Sequence, residues 1–289
     1  MCRATKLVFP GHFWCFARME SLGIIAGKGV YPRELAASAR KQGVERIFVT
    51  AFKGETDPII EKFADEVKWM YVGQLAPFID AYRDSGVHQA VMAGQITPKN
   101  LFNLRFDKAM REMLGRLPRK NADSIFSAIG EELAKVGVEL TDASLFMEST
   151  MPEPGTMTGR SFTEQERLDA DYGYEVARTC CAMNIGQTVV IKTGSILAVE
   201  AFEGTDAAIK RAGKLGGKGT VVVKMAGRTH DMRFDIPVVG LRTLKSMKKA
   251  GATALAVEAG RTVFLERAAV IKQADELNIA IEARKLDEQ

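Results

Sequence analysis

The sequence predicts an α/β protein: an N-terminal Rossmann-like parallel-sheet domain plus a second C-terminal α/β domain, with the functional site in the interdomain cleft. Three observations carry this expectation. Short apolar runs alternate with stretches of helical periodicity from residue 21 onward. A chain of 289 residues suits two domains of ordinary size. The densest cluster of helix breakers, "MPEPGTMTG" at residues 151–159, falls near the middle and reads as a linker.

Within residues 19–150, "SLGIIA" (Ser21–Ala26) has the composition of a buried strand, residues 32–42 of a helix, 46–51 of a strand, Leu75–Ser85 of a helix and Gln89–Ala93 of a strand. Strand and helix alternating at this spacing is the rhythm of a parallel sheet. Two more helices are expected at about 106–117 and 122–136. Residues 160–289 open with a helix over 164–183, then give strands near "TVVIK", "SILAVEA", "TVVVKMA", "MRFDIPVVG" and "ALAVEA". Helices at 205–214, 244–250 and 267–277 separate them. The regular pattern begins just after Met19, which is the expected natural start; the leader "MCRATKLVFPGHFWCFAR" has too short and broken an apolar patch for a signal peptide.

Composition excludes several classes. Hydrophobic residues make up 46% and charged ones 26%, as in ordinary globular proteins, and no run reaches the roughly 18 apolar residues of a membrane span. A formal charge of +4 with no aromatic-basic motif sets nucleic acid aside as a partner. Cys2, Cys15, Cys180 and Cys181 lack zinc-site spacing and suggest no disulfide framework, so the cytoplasm is the expected compartment.

The motifs concentrate in a few places. "IIAGKGVYP" sets Gly27 and Gly29 directly after the first strand, where bare backbone at a helix start can receive a phosphate. The same glycines would also serve a tight turn by geometry alone. Pro32 replaces the third glycine of a dinucleotide fingerprint and the second strand ends in Ala51-Phe52 with no ribose-binding acid, which disfavours NAD. Gly94 and Gln95 follow the third strand and should face the same crevice, because open parallel sheets bind ligands beyond their strands' carboxyl ends.

In the second unit, "LAVEAFEGTDAAI" crowds Glu200, Glu203 and Asp206 at a strand-to-helix corner, with Thr205 as an expected helix cap. In "HDMRFDIP", an extended backbone would put Asp231, Arg233 and Asp235 on one face and Met232, Phe234 and Ile236 on the other. Each feature alone fits a surface cap or an edge-strand ion-pair row. Together, the carboxylates of Glu200, Glu203, Asp206 and Asp235 suit a hard divalent ion, and Lys224, Arg228 and Arg233 suit a phosphate. "LFNLRF" (residues 101–106), Met110 and Met113 are expected core residues or an acyl-chain lining, and the lysines of "LRTLKSMKKAG" a solvated helix face or a headgroup contact.

"LGIIAGKGVYPREL", "MNIGQTVVIKTGSILAVEAFEGTDAAIKRAG", "MRFDIPVVGLRTL" and "VEAGRTVFLERAAVI" together resemble the LpxI-type UDP-2,3-diacylglucosamine diphosphatases of lipid A biosynthesis over residues 22–281. The resemblance implies Mg²⁺-dependent hydrolysis of the substrate pyrophosphate by water attack on the α-phosphorus, releasing UMP and 2,3-diacylglucosamine 1-phosphate. It implies a lipid-linked UDP-sugar substrate and transient contact with the inner-membrane surface on the cytoplasmic side of a Gram-negative bacterium; it leaves a homodimer open.

The aspartate important in the family's "RFDIP" motif is Asp235 here. From their residue types we add Asp206 and Glu203 as supporting catalytic groups, and Asp235, Asp206 and Glu200 as metal ligands. Gly27, Gly29, Gly94, Gln95, Asp123, Gln187, Thr205, Lys224 and Arg233 are added as substrate contacts. A nucleotide-dependent oxidoreductase and a non-catalytic lipid- or nucleotide-binding module are the rival classes.

Overall fold

The computed structural model describes residues 19–96, 106–227 and 231–286. Its first half runs β1 (Ser21–Ala26), α1 (Tyr31–Lys41), β2 (Arg46–Phe52), β3 (Glu66–Met70), α2 (Leu75–Ser85), β4 (Gln89–Ala93), α3 (Lys108–Arg116), α4 (Ala122–Lys135) and β5 (Glu139–Leu140). The strands form one parallel sheet in the order β3-β2-β1-β4-β5, so the chain reverses direction of winding between β1 and β4. Five of the six residues of β1 are buried because helices cover both faces of the sheet. Leu22, Ile24 and Ala26 pack under α1, while Ile25, Phe48 and Met92 pack under α2, α3 and α4.

The second half runs β6 (Gly155–Thr156), α5 (Glu164–Ala182), β7 (Thr188–Lys192), β8 (Ser195–Val199), α6 (Thr205–Gly216), β9 (Thr220–Lys224), β10 (Val238–Val239), α7 (Leu241–Ala250), β11 (Ala252–Glu258), β12 (Val263–Phe264), α8 (Arg267–Glu276) and β13 (Ala280–Arg284). Six strands form a mixed sheet in the order β6-β13-β11-β9-β7-β8, and β10 pairs in parallel with β12 in a small separate sheet. α5 covers one face of the large sheet; α6, α7 and α8 cover the other. Gly173 lets α5 lie close, since a methyl there would stand 2.4 Å from a Val223 methyl. α5 begins with a capping box between Thr163 and Glu166.

One expectation needs correction. "MRFDIPVVG" is not a strand along its length: residues 232–234 form a turn in which the amides of Phe234 and Asp235 donate to the Asp231 carbonyl, and only Val238–Val239 is extended and paired. Local hydrogen bonding and the fixed φ of Pro237 win over the alternating pattern. The stretch 151–159, expected as a linker, is also tied to the second unit: Gly155–Thr156 pairs antiparallel with β13 and the Pro152 carbonyl accepts from Gly260.

The two halves are joined through that turn. Met232 and Ile236 pack in the apolar cluster that holds Ala26 and Ala93, the last residues of β1 and β4, and Phe234 packs on the opposite side of the same sheet against Phe126. The Ala143 amide donates to the Met232 carbonyl at 2.8 Å. Nearby, the Glu34 carboxylate on α1 accepts the Glu266 amide at 3.0 Å, just ahead of α8.

Candidate active site

The first wall of the site lies at the carboxyl ends of β1 and β4. The Gly27 amide donates to Ala93 at 2.7 Å, and Lys28 and Gln95 exchange backbone hydrogen bonds of 2.8 and 3.1 Å. A methyl on Gly27 would stand 2.8 Å from the Gly94 carbonyl carbon, so Gly27 and Gly94 are small because their backbones touch. Gly29 differs: its φ of +98° requires glycine and its free side faces open space. Gly27, Gly29, Gly94 and Gln95 are thus brought to one place, at the switch point where doubly wound sheets take ligands.

The second wall is the carboxyl end of β9 with its neighbours. Lys224, the last residue of β9, is 6% exposed, and its ammonium donates to Thr205 at 3.1 Å and Thr188 at 3.5 Å. Thr205 opens α6 and donates in turn to Glu200 Oε1 at 2.8 Å. Glu200 Oε2 is buried and has no hydrogen-bond partner among the described residues. α6 follows Gly204, which has no side chain with which to cap the helix start. A buried cation, two hydroxyls and an uncapped helix start make a receptor for negative charge, and helix N-termini favour anions for the same reason.

Asp235 faces this wall. Its carboxylate accepts the side-chain amide of Gln187, whose own carbonyl accepts the Met225 amide just beyond Lys224. The neighbouring Cys181 thiol is pushed up to about 12, first by burial and then by the negative charge of Asp235. It is an inert packing residue rather than a nucleophile.

Other expected residues are engaged differently. Asp206 accepts from Ser246 at 2.8 Å and pairs with Arg242 at 2.5 Å, both on α7. Glu203 pairs with Arg211 at 2.7 Å, a hydrogen bond that holds its carboxyl below the usual range. Arg233 grips Asp231 through its Nε at 2.8 Å and faces α4, where the charges of Asp123 and Glu131 act on it. It therefore ties the turn to the first domain. Arg228 and residues 101–105 lie outside the described residues, while Met110 and Met113 are buried core.

Among the described residues no three His, Cys, Asp or Glu side chains come together as a metal site, so Asp235, Asp206 and Glu200 are not assembled into one ligand set. Arg242 and Ser246 already occupy both Asp206 oxygens. Of the expected ligands, Glu200 Oε2 is buried without a hydrogen-bond partner among the described residues, and with Asp235 it could donate to Mg²⁺, an ion that completes its shell with water and substrate phosphate.

Sequence reasoning missed Glu258. This carboxylate ends β11, is 6% exposed, accepts the Ala226 amide at 3.1 Å and stands 3.5 Å from Arg261. Burial pushes it up, against the pull of Arg261. Since Arg261 also donates to the Gly227 carbonyl, the pair fixes the exit of β9. An acid ending the apolar run "ALAVE" at a strand's carboxyl end is the signal that could have found it.

Fold and side chains define a two-domain α/β protein whose polar groups gather at the carboxyl ends of its parallel strands. The chain belongs to the LpxI family: the model of the LpxI N-terminal domain matches residues 21–150 and that of the LpxI C-terminal domain residues 153–282. The UDP-2,3-diacylglucosamine pyrophosphatase LpxI of Caulobacter vibrioides is 31% identical over 278 residues, which is 91% of this chain and 97% of the relative. Among solved structures, the biotin carboxylase domain of the Hydrogenobacter thermophilus 2-oxoglutarate carboxylase matches 68% of this chain at 11% identity and a TM-score of 0.28. The N5-carboxyaminoimidazole synthetase of Staphylococcus aureus matches 61% at 12% identity and a TM-score of 0.24. The chain spans 41% and 39% of those two structures, and neither likeness carries an argument.

Proposed function

We propose that this LpxI-family chain is an enzyme that hydrolyses the pyrophosphate bond of UDP-2,3-diacylglucosamine, giving UMP and 2,3-diacylglucosamine 1-phosphate for lipid A biosynthesis. Its similarity to the Caulobacter vibrioides pyrophosphatase supports the substrate. The observation that carries the chemistry is the facing of Asp235, on a turn rooted in the first domain, and the Lys224–Thr205–Glu200 chain of the second.

In this reading Lys224, Thr188, Thr205 and the start of α6 hold the pyrophosphate and offset the charge that builds on its nonbridging oxygens. Asp235, oriented by Gln187, accepts a proton from a water aimed at the α-phosphorus. Gly29, Gly94 and Gln95 line the nucleotide side. Mg²⁺, held by Asp235 and Glu200 together with the phosphates, would supply further charge neutralisation. The reaction takes place at the cytoplasmic face of the inner membrane of a Gram-negative bacterium, where a diacylated substrate resides.

The test is direct: purified chain and UDP-2,3-diacylglucosamine in detergent, with and without Mg²⁺, products weighed by mass spectrometry, and a parallel reaction in H₂¹⁸O. The expected result is Mg²⁺-dependent release of UMP carrying the label. Label on the diacylglucosamine 1-phosphate would place the attack on the other phosphorus. Substrate bound without turnover would make the chain a binding module.

A further inference from the structure

α6 and α7 lie side by side on the outer face of the second sheet. They approach so closely that a methyl on Gly213 of α6 would stand 2.5 Å from the Ala250 Cα of α7. Their buried residues, Ala208, Ile209 and Ala212 on one and Leu244, Met247 and Ala250 on the other, face the sheet. What they leave outside is strongly biased. The exposed residues of α7 are Arg242, Lys245, Lys248 and Lys249, all basic. Those of α6 are Ala207, Lys210, Arg211, Lys214 and Leu215, with Lys218 in the turn that follows.

Two of these cations are already answered, Arg211 by Glu203 and Arg242 by Asp206. Lys210, Lys214, Lys218, Lys245, Lys248 and Lys249 have no carboxylate partner among the described residues. The chain's formal charge is only +4, so this one face holds more unanswered cations than the whole protein's surplus. Beside them two large apolar side chains stand out, Leu215 at 67% exposure and Phe202, in the turn that leads into α6, at 64%.

We infer that the paired outer face of α6 and α7 is a docking surface for an anionic phospholipid bilayer, with the lysines on headgroup charge and Leu215 and Phe202 at the acyl boundary. Clustered lysines gain from the negative potential of such a surface, and apolar side chains beside them add burial that a purely polar polyanion cannot offer. For that reason the face suits a lipid surface better than a nucleic acid. α6 begins at Thr205, so docking here sets the candidate site beside the membrane. The inference rests on the proposed function for its reading of the substrate as a bilayer amphiphile, whereas its test involves no turnover.

The experiment is co-sedimentation of the full chain with phosphatidylglycerol–phosphatidylcholine vesicles and with pure phosphatidylcholine vesicles, across a salt series. The wild type is expected to sediment with the anionic vesicles only and to be released by salt. Lys210→Glu/Lys214→Glu/Lys245→Glu/Lys248→Glu is expected to weaken that binding about tenfold or more. Reversal of two exposed lysines of the first domain, Lys41→Glu/Lys62→Glu, is expected to leave it unchanged. Leu215→Ser is expected to weaken binding without altering its salt dependence. Should the four-lysine variant melt early, the wild-type salt series and Leu215→Ser decide alone. Three outcomes overturn the inference: no wild-type binding to anionic vesicles, equal loss in the first-domain control, or binding of a single-stranded RNA oligomer without binding of vesicles. Hydrolysis of detergent-dispersed substrate by the four-lysine variant separates this failure from failure of the proposed reaction.

Discussion

Gln187 donates its side-chain amide to the carboxylate of Asp235 across 48 residues of sequence. The donor sits at the start of β7, fixed by its backbone bond to Met225; the acceptor sits on a turn whose Met232, Phe234 and Ile236 belong to the first domain's cores. One hydrogen bond therefore registers the two halves at the position where the chemistry is proposed. A carboxylate held this way is fixed in orientation, which is what positioning a water requires.

Asp235→Asn is expected to lower hydrolysis by on the order of 10² or more, roughly 3 kcal/mol of transition-state stabilisation. Its melting temperature should stay near that of the wild type, because Asp235 is half-buried and the substitution opens no core cavity. Asp206→Asn is the internal comparison: with Asp206 engaged by Arg242 and Ser246, its activity is expected within a few-fold of wild type. Single-turnover hydrolysis beside thermal melting reads both variants. Equal losses would return Asp206 to the catalytic set, and a fully active Asp235→Asn would remove Asp235 from it.

Lys224→Met exchanges a buried ammonium for an apolar side chain of similar length. The fold should tolerate it, since Lys224 pairs with hydroxyls and with no carboxylate among the described residues. Substrate turnover should fall by about 10²-fold or more if that ammonium answers phosphate charge. Isothermal titration with UMP separates the possibilities, because a purely structural lysine would leave nucleotide affinity unchanged.

How much of this was legible beforehand depends on the range of the interactions involved. The alternation from β1 to β4 was readable because buried strands such as "LGIIA" and amphipathic helices such as α1 carry their period locally. β3 was not, since only Met70 of its five residues is buried and an edge strand keeps little apolar signal. At the site, Asp235 was nameable from the motif it resembles and Gln187 and Lys224 only from their residue types, but their mutual facing arises from a turn that the alternating pattern of "MRFDIP" disguised as a strand. The engagement of Asp206 by α7 was invisible for another reason. Nothing local indicates that Arg242 and Ser246 will lie beside a residue 40 positions earlier than Ser246.

Gly186→Ala tests the packing beneath the site. A methyl there would lie 2.2 Å from the Glu200 carbonyl oxygen and 2.8 Å from its carbon, both backbone atoms that cannot rotate away. The start of β7 must shift from the end of β8, at an expected cost of about 1–3 kcal/mol. Because Gln187 is the next residue, activity should fall more than stability. Gly204→Ala is the contrast in mechanism: its methyl meets nothing within 4 Å, but φ 82° with ψ 165° is a backbone conformation essentially reserved for glycine, so about 1–3 kcal/mol is expected from strain alone. Urea unfolding beside single-turnover hydrolysis checks the first variant, and a Gly186→Ala chain with unchanged stability and activity would show that the start of β7 yields to the methyl without cost.

Glu166 ties stability to pH. Its carboxylate accepts both terminal nitrogens of Arg160, at 2.8 and 3.0 Å, and the Thr163 amide at 2.9 Å, while Arg160 reaches on to the Thr253 carbonyl at the foot of β11. Burial pushes the Glu166 carboxyl up, but the guanidinium and the amide outweigh it and bring it from 4.5 to about 2. A group lowered in the folded state stabilises fully above its unfolded value, because below that value the unfolded chain takes up the proton first. The contribution is therefore complete at neutral pH and fades as pH falls from 4.5 towards 2. A shift of that size corresponds to about 3 kcal/mol for this 8%-exposed residue. Glu166→Gln should accordingly melt well below the wild type at neutral pH, with the two curves converging as the solution is acidified below the unfolded value. A gap that stays constant down to the acid limit would assign the loss to packing and capping geometry, and the charge of Glu166 would then have no part in holding α5 to β11.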